Sequence, residues 1–244
     1  MNGLKNVGNT CFMNAALQLL KTVPAFVNGS VPFQTFVEQN DPTMPRAWVA
    51  EKFPQFRNYA QHDSHEWLLS LLDTLNADTA FQGTFEVTVT FRDCGHSNVH
   101  DEPFVTLSLP MVGQTLAESL HDFFTRADAV VSTCDTCADG RKQAATKTVK
   151  ILTLPAAMLI HWKRFSGRRG EKVKRRMTTP STLFNKQLTA MVNHVGEGSG
   201  SGHYTACVAT KTPEYYYISD TSVLKIEKKH FLKSVEAAYY CVYV

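Results

Sequence analysis

The periodicity of the apolar residues changes once along this chain, and that change limits the fold more than any other feature. Before about residue 75 it is helical. Phe12, Ala15, Ala16, Leu19 and Leu20 recur at helical spacing until Pro24. Trp67, Leu68, Leu71, Leu72 and Leu75 mark one face of a second helix over about 61–75. From Thr84 the pattern alternates, as in Thr84-Phe-Glu-Val-Thr-Val-Thr-Phe91, and strands are predicted there and near 99–109, 148–154, 157–165, 187–195, 203–210, 215–219 and 238–244. Between the helices, 25–58 contains Pro32, Pro42, Pro45 and Pro54 and reads as irregular with short helical pieces. Helices first and strands afterwards point to an α+β protein rather than alternating βαβ units.

The chain has 244 residues, of which 43% are hydrophobic, enough for one sizeable core. A net charge of +3 excludes a globally polyanion-binding protein, and intrinsic disorder does not fit the abundance of Leu, Ile, Val and Phe. Six cysteines in a chain of this length do not make a disulfide scaffold. The apolar window 151–160 is short and contains Pro155, so no membrane span is expected. The expectation is an intracellular protein, cytoplasmic or nuclear, whose cysteines serve catalysis or metal binding.

Cys11 follows Gly8-Asn9-Thr10 and opens the first helix. The positive end of the helix dipole favours a thiolate there, and the Asn6 amide is a candidate donor to a developing oxyanion. His203 enters a strand just after the glycine-rich run 196–202, and Asp220 ends the next strand, so a hairpin would bring the two together. A helix-start Cys, a strand His and a neighbouring acid are the parts of a thiol-protease site. With nine histidines in the chain, the residues alone leave the partner assignments open.

Five landmarks in order resemble the ubiquitin-specific protease family. They are Gly3-Leu-Lys-Asn-Val-Gly-Asn-Thr-Cys-Phe-Met-Asn-Ala-Ala-Leu-Gln18, Gln61-His-Asp-Ser-His-Glu-Trp67, Glu102-Pro-Phe-Val-Thr-Leu-Ser-Leu109, Lys163-Arg-Phe165 and Gly202-His-Tyr-Thr-Ala206. The resemblance implies a single papain-like catalytic domain over 1–244. Its thumb would cover about 1–80, its fingers about 81–154 and its palm about 155–244. It also implies a thiol isopeptidase acting after the C-terminal glycine of ubiquitin or a relative, with Cys11 as nucleophile, His203 as general base and Asn6 as oxyanion donor. Asp63, Gly202 and Tyr204 would meet substrate, and 196–202 would be a loop that moves when the substrate tail enters. The family's third triad position falls on Ser219; a serine adds no negative charge to an imidazolium, so Asp220 is expected to orient His203.

The family also carries two Cys-x-x-Cys pairs that close a zinc site. Cys134-Asp-Thr-Cys137 is intact, whereas Cys94 has Phe91 at its partner position. His96 is a fourth candidate ligand, and a structural zinc is therefore possible. No redox or nucleotide cofactor is expected. Ubiquitin or a ubiquitin-like modifier is the expected partner, with no nucleic acid and no membrane, and the protein is expected to be a monomer. A protease for another modifier and a catalytically silent ubiquitin-binding module are the alternatives. Lys163 to Arg176 holds eight basic residues against Glu171 alone and reads as a solvated loop.

Overall fold

The computed structural model describes residues 2–24, 26, 51–75, 78–137, 140–166, 171–198, 201–212 and 214–244. Most of the segment read as irregular, and the centre of the glycine-rich run, lie outside the described residues.

Helix α1 (Cys11–Leu20) is buried on every side, which suits a helix at the centre of a protein. The amide N–H groups of its two internal polar side chains therefore need partners, and they find them in the N-terminal strap and at Asp220. Gln18 Nε2 donates to the Asn2 carbonyl at 2.9 Å, and Asn14 Nδ2 donates to Asp220 Oδ1 at 2.7 Å. Helix α2 (Ser64–Thr74) starts at Asp63, whose carboxylate caps the free amides of His65 and Glu66. Ser64 Oγ, at 2.7 Å from both the Phe12 carbonyl and the Tyr240 hydroxyl, ties α2 to α1 and to the last strand.

Two sheets follow. The first has the order β2-β1-β5-β4, built from β1 (Gly83–Phe91), β2 (Ser97–Phe104), β4 (Asp128–Thr133) and β5 (Lys142–Thr153). The second runs β13-β12-β11-β10-β14-β6-β3 through β3 (Thr106–Leu109), β6 (Met158–Trp162), β10 (Lys186–Gly198), β11 (Ser201–Ala209), β12 (Tyr215–Ser219), β13 (Ser222–Ile226) and β14 (Ala238–Tyr243). The short pieces β8 (Glu171–Lys172) and β9 (Thr182–Leu183) pair with β10, and β7 (Phe165–Ser166) pairs with β8. The strand expected over 99–109 is divided. Its first part pairs antiparallel with β1, while Thr106–Leu109 crosses to the large sheet and pairs parallel with β6.

The large sheet is covered on both faces, and strict alternation assigns its residues. Ala190, Val192, Ala206, Val208, Tyr240 and Val242 pack with Phe12, Leu19 and Trp67 of α1 and α2. The intervening Met191, Cys207 and Cys241 pack on the other face with Phe231 and Val235 of helix α4 (Lys228–Val235). Each fully buried Val, Leu or Phe side chain contributes roughly 2 kcal/mol, so a one-residue slip would misplace both sets at once. Cys207 and Cys241 are thus core residues; burial pushes their thiols up to about 11 and about 12. Helix α3 (Leu116–Thr125), closed at its start by a Thr115–Glu118 capping box, packs against the base of the small sheet, where Phe123 and Phe124 meet Phe85.

One buried cation joins the edge of this core to the basic segment. Arg164 is 2% exposed, and its guanidinium donates to the carbonyls of Ala238, Val173, Arg175 and Glu236 at 2.6–3.1 Å. A planar fork with five N–H donors can satisfy four carbonyls in this way and a lysine cannot. Part of the run read as a solvated loop is therefore fastened to the core.

Candidate active site and metal centre

Cys11 is the first residue of α1 and only 3% exposed. The backbone amides of Tyr204, Phe12 and Cys11 itself act on its sulfur electrostatically, and Gln61 Nε2 lies 3.8 Å away. The same Gln61 amide donates to the Gly202 carbonyl at 2.5 Å, which fastens the start of α2 to the entrance of β11. Tyr204 directly follows His203, so the strand carrying the histidine runs against the thiol.

The sequence favoured a thiolate at Cys11, and the structure reverses this. Burial is the largest influence on the thiol and raises its pKa; the amides of Tyr204, Phe12 and Cys11 oppose the rise, and the Asp220 carboxylate adds to it. A pKa raised above the ordinary thiol value leaves the group a neutral thiol at neutral pH.

The structure also differs from the expected partner of His203. His203 Nε2 lies 2.8 Å from Ser219 Oγ, and Asp220 turns elsewhere. β12 ends at Ser219 and the chain turns directly after it, which carries the next side chain away from the histidine. Asp220 sits in the β12–β13 turn with φ 49°, and its carboxylate accepts from Asn6 Nδ2 at 3.0 Å and Asn14 Nδ2 at 2.7 Å. Its carbonyl accepts from the Leu4 amide at 2.9 Å. Gly3 lies directly on this turn, where a Cβ would come within 2.4 Å of the Asp220 carbonyl oxygen.

Asn6 is held at both ends. Its Oδ1 accepts from the amides of Gly8 and Thr10, each at 3.1 Å, which shapes the turn entering α1, and its Nδ2 reaches Asp220. Asp63 is occupied by its cap and by the Tyr239 hydroxyl at 2.5 Å. Tyr204 is 1% exposed, and burial raises its phenol, with the Asp63 carboxylate adding to the rise. Gly202 has φ 139°, and a Cβ there would strike His194 Nε2 at 2.4 Å. The structure thus brings Cys11, Tyr204, Gln61 and Gly202 into one cluster, and joins Asn6 to Asp220 in another through the turn that follows Ser219. Sequence reasoning missed Gln61 and Asn14 as members. Gln61 opens a quoted motif, and Asn14 is a polar residue inside an otherwise apolar stretch one turn beyond Cys11.

The model of the family described as "Ubiquitin carboxyl-terminal hydrolase" matches residues 2–243. The chain belongs to the ubiquitin carboxyl-terminal hydrolase family. Ubiquitin carboxyl-terminal hydrolase 23 of Arabidopsis thaliana is 26% identical over 99% of this chain and 35% of its own length. Ubiquitin carboxyl-terminal hydrolase 3 of Homo sapiens is 26% identical over 99% and 67%. The chain therefore spans from about a third to two thirds of these relatives. Among solved structures, the SAGA Ubp8/Sgf11/Sus1/Sgf73 DUB module bound to ubiquitin aldehyde superposes with a TM-score of 0.80 at 21% identity, covering 100% of this chain and 69% of that one. This likeness establishes the fold, α+β with the arrangement of the ubiquitin carboxyl-terminal hydrolases.

The second cluster lies at the far end of the small sheet. Cys94, His96, Cys134 and Cys137 place one ligand atom each within 4.8 Å of one another. Cys94 and Cys134 sulfurs are 3.7 Å apart, and His96 Nδ1 is 3.7 Å from Cys134 and 3.8 Å from Cys137. A tetrahedron with sulfur at about 2.3 Å and nitrogen at about 2.0 Å from zinc has corners about 3.5–3.8 Å apart. These residues fit a structural zinc, and His96 stands where the broken pair lacks a cysteine. The β1–β2 turn supplies two ligands and the end of β4 the other two, so the ion would pin two hairpin tips together. Burial opposes the Cys134 thiolate, but the amides of Cys137 and Thr136 and the His96 side chain outweigh it and bring the thiol down to about 6.

Two expectations follow. Alkylation of Cys11 by iodoacetamide in the resting protein should be slow at neutral pH and rise steadily through pH 9, the ordinary thiol value, because the raised pKa keeps the sulfur protonated below it. A rate that levels off below pH 7 would show a preformed thiolate–imidazolium pair instead. Elemental analysis of the purified protein should find about one zinc per chain, with Cys134→Ser losing the metal and melting at lower temperature. A folded sample with negligible zinc would remove the metal centre.

Proposed function

We propose that this protein is a thiol-dependent deubiquitinase that hydrolyses the peptide or isopeptide bond after the C-terminal glycine of ubiquitin. The observation that carries the reading is the Cys11 sulfur at the start of α1, set against the backbone of β11 beside His203, whose Nε2 is engaged by Ser219. Family membership and the ubiquitin-bound state of the superposed module support ubiquitin as the partner. In this reading residues 1–80, 81–154 and 155–244 serve as thumb, fingers and palm.

With Nε2–H donating to Ser219, the Nδ1 lone pair of His203 is left to take the proton from Cys11. The sulfur attacks the glycine carbonyl carbon and the carbonyl π electrons move to oxygen. The Cys11 amide and the second N–H of Asn6 donate to that oxyanion. Collapse expels the amine, which takes the proton back from His203, and leaves a thioester. Water then gives its proton to His203 and attacks the thioester; the thiolate leaves and is reprotonated. No redox step occurs.

Asp220 acts in this account as a positioning residue, keeping Asn6 and the N-terminal strap in place, while Ser219 fixes the imidazole tautomer. Asp63 seats α2, and of its four lone-pair sites one, on Oδ2, is left for an amide of the incoming tail. Gly202 and Tyr204 form the wall beside it, and residues 196–202 would move to admit it. A specific observation favours the catalytically silent module as second reading: the group on His203 is a neutral hydroxyl, which adds no charge to stabilise imidazolium.

Ubiquitin bearing a fluorogenic C-terminal amide decides between them. Turnover is expected, abolished by Cys11→Ala and lowered about tenfold or more in kcat by Ser219→Ala, with ubiquitin hydrolysed faster than the same reporter on other modifiers. No turnover alongside tight ubiquitin binding would make the chain a binding module. Equal turnover by the Cys11→Ala variant would refute the nucleophile.

A further inference from the structure

The basic run from Lys163 to Arg176 is not used by the chemistry above, and four of its described residues, Arg164, Lys172, Lys174 and Arg176, line a concavity. A cavity of about 420 Å³ lies between α4 and the strands β10, β11 and β12. Lys172, Lys174, Arg176 and Lys233 line it, with Arg164 behind them, and no carboxylate is among its described lining residues. Glu197 and Glu236 stand outside, paired to Lys174 at 2.5 Å and Arg176 at 3.5 Å in exposed ion pairs of the kind that yield readily.

The cations differ in how free they are. Arg164 is fully engaged by four carbonyls and contributes only its field. Lys172 donates to the carbonyls of His194 and Gly196, and burial, with Arg164 and Lys174 nearby, lowers its pKa. Lys174, Arg176 and Lys233 are exposed and can reach a ligand. Confined cations that repel one another gain by admitting an anion.

The wall of the cavity specifies more than negative charge. Asn193 Oδ1 is buried there without a hydrogen-bond partner, and Thr205 and Tyr217 belong to the same lining. A buried acceptor needs a donor, and an ionised phosphate offers none. A ligand hydroxyl does. Tyr217 is the one large aromatic ring in the lining, so a stacking platform for nucleobases is missing among the described residues. The size suits a small ligand rather than a polymer.

We propose that this pocket binds a phosphorylated polyol, its phosphates on Lys174, Arg176 and Lys233 and a free hydroxyl on Asn193. Lys172 holds the carbonyls of His194 and Gly196 at the root of the glycine-rich run, so an occupant would stiffen the base of that run from behind. The binding stands apart from the catalytic reading and is measured without turnover.

Calorimetric titration of the whole chain with inositol trisphosphate tests it, beside inorganic tripolyphosphate, a short DNA duplex and vesicles containing phosphatidylinositol bisphosphate. Saturable binding of the trisphosphate at one site is expected, tighter than tripolyphosphate and weakened by added salt. Lys174→Gln and Lys233→Gln, both exposed, should each weaken it about tenfold without lowering the melting temperature. Asn193→Ala should erase the preference over tripolyphosphate. Vesicle binding lost in the same variants would point to a lipid headgroup as the source, and its absence to a free ligand. Unchanged affinity in both lysine variants, equal affinity for tripolyphosphate, or tighter binding of duplex DNA would each overturn the proposal.

Discussion

The carboxylate and carbonyl of Asp220 connect the two ends of this chain. Asn6 and Asn14 donate to the carboxylate and Leu4 to the carbonyl, across more than two hundred residues. The contact is polar and includes a buried asparagine, so losing the carboxylate would leave Asn14 with only the longer bonds, at 3.4 Å, to the Leu4 and Lys5 carbonyls. It is also tight, since Gly3 leaves no room for a side chain over the turn. The strap, the Asn6 turn and the start of α1, which set Cys11 against the large sheet, all meet at this joint.

The β12–β13 turn then distributes roles that the sequence alone left to one residue. Ser219 closes the strand and Asp220 enters the turn with φ 49°, so the hydroxyl reaches the histidine and the carboxylate reaches the strap. The negative charge that might have steadied an imidazolium instead contributes to raising the thiol pKa of Cys11. In the proposed reading, a buried neutral thiol and a histidine held by a neutral hydroxyl make a site whose charges develop only during reaction. The amides of Cys11, Phe12 and Tyr204, which oppose the rise in the thiol pKa, favour the charge that forms.

Much of this was legible in the residues. The helical spacing around Leu19 and Trp67 and the alternation of Thr84–Phe91 correspond to α1, α2 and β1 with only end residues in doubt, because each element buries one regular face. The four metal-ligand candidates converge, since cysteine spacing at hairpin tips survives folding unchanged. The strand β4, the helix α4 and the crossing of Thr106–Leu109 were not legible. α4 is mostly charged and held by Phe231 and Val235, and the crossing depends on a parallel partner fifty residues away. The orienting partner of His203 was misread for a similar reason: a preference for charge at the triad cannot be weighed against side-chain direction until the strand register is known.

The account rests on Asp220 acting through Asn6 rather than on His203, and a double-mutant cycle over pH measures that directly. Hydrolysis of the ubiquitin reporter would be followed for Asn6→Ala, Asp220→Ala and the double variant. The account predicts that kcat falls in each single variant, that the double variant is no worse than the more impaired single one, and that the histidine limb of the pH profile stays in place. Additive losses, with that limb shifted in Asp220→Ala, would mean that the carboxylate serves the histidine, and would contradict it.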